Sequence, residues 1–187
     1  LFILFLPLAA FVIQIFFGKR LPRQGDWVSV GAIFITLILS IAMFVAMVLG
    51  NDPNFKQEAS FTWLDMGAFS IQLGFLVDNI TVIMLLVVAL ISTCTHVFSL
   101  KYLEGDIRYS RYFAYLGLFT FSMNGIVLSN NLISMYMSWE LVGVSSYLLI
   151  GHWFEKDSAA NAAKKAFLTN RVGDIGFFIG IMLIYTA

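Results

Sequence analysis

Six long apolar stretches, each near the length that crosses a lipid bilayer, dominate this sequence. They run over about 1–18, 27–50, 79–100, 111–129, 132–151 and 160–186. A membrane-spanning helix needs about 20 mainly apolar residues, and six of them leave too little chain to bury their surface in a soluble core. Charged residues make up 12% of the chain, against about 25% in soluble domains. The 11 basic and 11 acidic residues cancel, so no basic stripe offers itself to nucleic acid. The expectation is an all-α polytopic membrane protein, with 1–187 forming a single membrane domain. The chain opens Leu1-Phe2-Ile3 without a methionine and closes in the apolar run Phe177 to Tyr185, which reads as part of a longer protein. Its first stretch lacks a small-residue cleavage site and reads as a retained span.

Polar segments between the stretches set the sidedness. Lys19, Arg20 and Arg23 fall in the first, Lys101, Arg108 and Arg111 in or beside the third, and Lys156 in the fifth, with Lys164 and Lys165 close behind. The longer second segment holds only Lys56, and the fourth, Asn130-Asn131, has no basic residue. The positive-inside rule then puts loops 19–26, 101–110 and 152–159 in the cytoplasm and the N-terminus outside. The second segment alone has strand character. Phe69, Ile71, Leu73 and Phe75 alternate with smaller or polar residues, and Asp65-Met66-Gly67 suits a turn back to Phe61–Leu64. A short outer β-hairpin between helices 2 and 3 is predicted there. Asp78 is placed to cap the third helix, with Thr81 three residues on.

Ionisable side chains inside a span are costly and are functional candidates by default. Glu140 lies near the middle of the fifth span, followed by the small residues Gly143, Ser145 and Ser146 that permit close helix approach. Hydrocarbon penalises a charged carboxyl and a nearby cation favours it. A carboxyl balanced between the two can take up and release a proton; the alternative is a neutral acid bonded to a neighbouring helix. Arg171 and Asp174, three apart on the sixth span, can pair on one face, either as a structural pair or on a proton path. Lys164 shares that face and reads as a snorkelling anchor, whereas Lys165 points about 100° away. His96 is either a relay member or a packed histidine, His152 a solvated loop residue, and the four tryptophans interfacial or packing groups. Cys94 has no partner, and the sequence contains no metal-ligand spacing, phosphate loop or nucleophile motif.

The run Ser110-Arg-Tyr-Phe-Ala-Tyr, then Ser122-Met123, Asn130-Asn-Leu and Trp139-Glu-Leu-Val-Gly-Val-Ser-Ser-Tyr-Leu-Leu-Ile-Gly151 carries a resemblance, strengthened by Lys165-Ala-Phe-Leu-Thr-Asn-Arg-Val-Gly-Asp174. Together they resemble the antiporter-like subunit L of proton-pumping NADH:quinone oxidoreductase (respiratory complex I). The resemblance implies six helices of a larger antiporter-like bundle. It also implies proton translocation carried by Glu140, Lys165, Arg171 and Asp174, and a lysine partner for Glu140 on a helix beyond residue 187. FMN, Fe–S clusters and quinone would sit in partner subunits and no redox centre on this chain, whose partners would be other membrane subunits and the lipid bilayer. The location implied is an energy-transducing membrane, bacterial inner membrane foremost. The large subunit of multisubunit sodium/proton antiporters shares much of the pattern. A non-conducting scaffold with paired buried charges is the remaining alternative.

Overall fold

The computed structural model describes residues 1–50, 52, 55–65 and 70–186. Six long helices follow the six apolar stretches: α1 Phe2–Phe17, α2 Asp26–Gly50, α3 Asn79–Tyr102, α4 Tyr109–Leu128, α5 Leu132–Ile150 and α6 Asp157–Thr186. Two short 3₁₀ turns join α1 to α2, and an antiparallel hairpin of β1 Lys56–Asp65 and β2 Ser70–Asp78 joins α2 to α3. The hairpin is longer than the alternation suggested. The turn expected at Met66-Gly67, together with Phe69, lies outside the described residues.

Among the described residues, five of the helices are long and apolar enough to cross a membrane on their own composition. The exception is α4, and its position explains why. It packs against α1, α3 and α5 at once, so its polar side chains face neighbours rather than lipid. Ser110, Thr120, Ser122 and Asn124 are all buried there.

The same inversion runs through the bundle. Large apolar side chains such as Ile38, Ile91, Phe98 and Val172 point outward, while Ser29, Thr36, Ser40, Ser92, Thr93 and Ser99 are buried. Hydrocarbon is as apolar as leucine, so membrane helices associate through close approach and hydrogen bonds instead of apolar burial. Four of these hydroxyls donate to the preceding turn, as Thr36 does to the Ala32 carbonyl at 2.9 Å and Thr93 to the Ala89 carbonyl at 2.7 Å, and Ser92 bonds the Thr120 hydroxyl across the α3–α4 interface at 2.7 Å.

Pro7 shows how strictly backbone groups are satisfied. It lies inside α1 and has no N–H, which deprives the Ile3 carbonyl of its helical donor. The Asn124 side-chain amide, from α4, donates to that carbonyl at 3.1 Å. Gly117, two turns from Asn124, lets the helices meet: a Cβ there would come within 3.1 Å of the Pro7 carbonyl oxygen.

The loops gather at two ends, as the charge pattern requires. At the Lys/Arg-rich end the Tyr109 hydroxyl donates to Asp26 at 3.1 Å, Arg108 donates to the His152 carbonyl at 3.3 Å, and the Trp153 indole donates to Asp106 at 2.9 Å. Burial of Asp106 opposes its charge, but the Arg108 backbone N–H and the Trp153 indole outweigh that and hold its carboxyl below the usual range. His152 departs from expectation. It is buried, its Nε2 lies 3.4 Å from an Asp106 carboxylate oxygen and its ring meets Tyr112 edge-on. The sequence places it in a loop, but that loop folds down onto α4.

At the other end the hairpin lies across the α4–α5 turn. The Asn130 N–H donates to the Gly74 carbonyl at 3.4 Å, and the Asn131 side chain donates to the Gln72 carbonyl at 2.9 Å. Gly74 leaves room for the Asn130 side chain, which a Cβ there would overlap and displace. Asp78 caps α3 as expected, accepting from the Thr81 N–H at 2.7 Å, and that bond lowers its pKa. Asn131 caps α5 in the same way through Ser134, at 2.8 Å.

Replacing Asn124 by Leu leaves the Ile3 carbonyl without a donor in a dry interface. The expected cost is about 0.5–2 kcal/mol, read as a lower melting temperature in lipid or mild detergent. In a Pro7→Ala background, where residue 7 supplies the donor, the same substitution should cost clearly less. Equal costs in both backgrounds would refute the pairing.

Candidate functional site

Glu140 lies nine residues after the Asn131 cap and ten before the last residue of α5. At 1.5 Å per residue that is about 14 Å from one end of the helix, close to its centre. Opposite it, α6 presents Arg171, whose guanidinium donates to the Glu140 carboxylate in a short hydrogen-bonded ion pair. The same nitrogen lies 3.7 Å from an Asp174 carboxylate oxygen. Arg171 also stacks over the Phe167 ring, 4.7 Å from its centroid, which restricts the guanidinium to the α5-facing side of its helix.

Asp174 is held from a second direction. The Trp139 indole N–H, one residue before Glu140, donates to it at 3.0 Å. Consecutive positions on α5 thus engage α6 one turn apart: Glu140 takes the cation and Trp139 takes the acid. Trp139 was expected only to pack or mark the interface. No spacing rule reveals such a donor, because its partner lies on another helix.

Exposure differs sharply within the cluster. The Asp174 side chain is 6% exposed, Glu140 22% and Arg171 34%. The acid clamped by tryptophan is closed off, while the Glu140–Arg171 pair lies at the open side of the α5–α6 seam. With both acids ionised, one guanidinium leaves the cluster with a single negative charge. A proton or a second cation brings it to neutrality.

The remaining candidates fall elsewhere. Lys165 is exposed at the Lys/Arg-rich end of α6 and its backbone carbonyl accepts from Thr169; it does not join Glu140, Arg171 and Asp174. Lys164 lines a cavity with Arg111 and His152 at the same end. His96 is fully buried on α3, its Nδ1 2.8 Å from the Ser92 carbonyl and its ring 5.9 Å from Phe113. That places it in the α3–α4 interface, away from the charged cluster. Among the described residues no group of His, Cys, Asp and Glu is arranged to hold a metal ion, and Cys94 is a free thiol.

Comparison with known proteins bears on this geometry. Residues 63–113 match the family described as the N-terminus of chain 5 of NADH-ubiquinone oxidoreductase (complex I). Residues 129–187 match the NADH:quinone oxidoreductase/Mrp antiporter transmembrane family. NADH-quinone oxidoreductase subunit L of Neisseria meningitidis is 40% identical over 186 residues, covering 98% of this chain and 27% of that protein. The chloroplastic NAD(P)H-quinone oxidoreductase subunit 5 of Adiantum capillus-veneris is 46% identical over 150 residues, covering 79% of this chain and 21% of its own length. The F(420)H(2) dehydrogenase subunit L of Methanosarcina mazei is 41% identical over 179 residues, covering 96% and 26%. The chain therefore spans about a quarter of the length of these relatives. A solved membrane-bound sulfane sulfur reductase, an archaeal respiratory membrane complex, shares the fold at a TM-score of 0.81 and 17% identity, covering 99% of this chain and 36% of that one.

Arg171→Gln leaves two carboxylates facing each other without the cation between them. It should lower stability by about 1–3 kcal/mol, less than for a fully buried pair because the guanidinium is partly exposed. Adding Glu140→Gln removes one of the unmatched charges and should restore part of the loss. Identical melting temperatures for the single and double variants would show that the two side chains are not coupled.

Proposed function

We propose that this chain, which resembles the N-terminal part of the antiporter-like subunit L/5 of NADH:quinone oxidoreductases, moves protons across the membrane in step with quinone reduction in other subunits. The observation that carries the reading is the Glu140–Arg171–Asp174 cluster, one cation between two carboxylates at the centre of a helix pair. In this reading Glu140 holds or passes the proton. When Glu140 is protonated the guanidinium loses its stronger partner and shifts toward Asp174; when it is ionised the pair reforms. Trp139 keeps Asp174 in place through both states. Lys165 adds positive charge at the cytoplasmic end of α6.

The chain then serves as a subunit of an enzyme complex without a redox centre of its own. FMN, Fe–S clusters and quinone belong to partner subunits, and neighbouring antiporter-like and small membrane subunits are its direct partners. The clustering of the Lys/Arg-rich loops at one end supports a cytoplasmic location for 19–26, 101–110 and 152–159, with the N-terminus outside and the bilayer an energy-transducing one. Coupling takes an electrostatic form: a charge arriving beside Glu140 changes the cost of its ionised state, and the proton moves in response.

A second reading has one specific support, since the family matched by residues 129–187 also includes Mrp antiporters. There the same carboxylate would exchange protons against sodium without a redox partner.

Inverted membrane vesicles separate the two readings. Glu140→Gln should assemble at normal levels, leave the electron-transfer subunits in place and reduce NADH-driven acidification several-fold. Full acidification in that variant would refute the role of Glu140. Acidification driven by a sodium gradient but not by NADH would replace the proposal with the antiporter reading.

A further inference from the structure

Two cavities flank the N-terminal end of α4 at the Lys/Arg-rich end of the bundle, and neither belongs to the Glu140 cluster. The first, about 200 Å³, lies between α4, α5 and α6 and is lined by Arg108, Arg111, His152 and Lys164 above Tyr115 and Tyr147. The second, about 420 Å³, lies between α1 and α4 and is lined by Lys19, Arg20, Arg108 and Arg111 above Ile15 and Phe16. Arg108 and Arg111 form the wall between them.

Counterions are scarce here. Arg108 is paired with Glu155, and Asp106 is engaged by His152 and Trp153. Among the described residues, Lys19, Arg20, Arg111 and Lys164 have no acidic partner, and all four are exposed. Four uncompensated cations therefore ring two adjoining cavities. Neighbouring cations repel one another, and such a group is stable when an anion sits among them. The apolar and aromatic lower walls continue into the lipid-facing surfaces of α1 and α5, where Phe16 and Tyr147 are exposed. A charged rim over an apolar, membrane-facing floor has the polarity of a phospholipid.

We propose that this double cavity binds an anionic phospholipid from the leaflet on the Lys/Arg-rich side. Its phosphodiester is held between Arg111 and Lys164 or between Arg111 and the Lys19–Arg20 pair, and its acyl chains lie along α1 and α5. Basic cavities between membrane helices on the cytoplasmic side are suited to acidic headgroups. The lipid ties the start of α6 to the α1–α4 group across the face of Arg111, complementing the hydrogen bonds that join loops 103–108 and 151–156. Lys164 is then more than an anchor in the interface; it closes one wall of a site.

The test uses the assembled complex purified from its native membranes in mild detergent, as wild type and as Arg111→Gln/Lys164→Gln. Each basic residue near the membrane surface contributes about fivefold in affinity for an anionic headgroup, so the double change should weaken binding about 25-fold. Mass spectrometry of the extracted lipid should then find about one anionic phospholipid fewer per complex. Lys101→Gln, a cation at the same end paired with Glu104, should retain the full complement. Equal retention in all three proteins overturns the proposal.

A second measurement holds even if the double variant assembles poorly. Delipidated wild type is melted with added phosphatidylglycerol, with phosphatidylcholine or with millimolar inorganic phosphate. Stabilisation by phosphatidylglycerol alone supports the site, and the conservative Arg111→Lys should preserve it. Equal stabilisation by both lipids refutes recognition of the anion. Stabilisation by inorganic phosphate matching that of phosphatidylglycerol identifies a soluble phosphate compound as the ligand and overturns the lipid assignment.

Discussion

Hydrocarbon supplies no hydrogen bonds, and a polar group carried into it is costly unless it finds a partner within the protein. This constraint explains more of the structure than apolar burial does. It places Asn124 against the Ile3 carbonyl that Pro7 leaves open, turns serines and threonines inward, and makes α4, the helix least suited to lipid, the one most enclosed. The charged cluster obeys the same rule at higher stakes. Glu140 and Asp174 persist in the membrane because Arg171 and Trp139 answer them from adjacent helices.

Two parts of the molecule contribute differently. Helices α1 to α4 lock together through buried hydroxyls, amides and close glycine contacts. Helix α6 depends chiefly on α5, so the side-chain bridges between those two helices carry a larger share of its placement. The hairpin matters to the site through this route. By clamping Asn130 and Asn131, it fixes where α5 begins and hence the depth at which Glu140 and Trp139 meet α6.

Much of this was legible in the sequence. Long apolar stretches delimit helices sharply because a bilayer imposes a minimum length, and all six helix positions follow from it. The shift of α6's start to Asp157 is a matter of one helical turn. The sharing of ends by loops was legible in the alternation of Lys and Arg, and the Asp78 cap in a local spacing. The contacts of the charged cluster were not. The i,i+3 rule pairs Arg171 with Asp174 and gives no hint that Glu140 is the closer partner, because the azimuth of α5 relative to α6 is a tertiary property. Trp139 and His152 escaped for the same reason: each is defined by a neighbour 35 or 44 residues away.

The asymmetry inside the cluster decides what kind of device it can be. A closed pair of one acid and one base is neutral and has no use for a further proton, so its job ends with joining two helices. Here the second acid changes the balance. Asp174 is almost sealed and fixed by a neutral donor, while Glu140 and Arg171 remain partly open. The guanidinium is shared between unequal acceptors, and any positive charge approaching from the open side competes with it for Glu140. That competition needs no large movement of the backbone. A shift of the Arg171 side chain over the Phe167 ring, in the proposed reading, passes the cation from one carboxylate toward the other and changes the ionisation cost at Glu140, while the α5–α6 seam holds through Trp139. In the proposed reading, the tryptophan that steadies the buried acid is therefore what allows the pair beside it to switch.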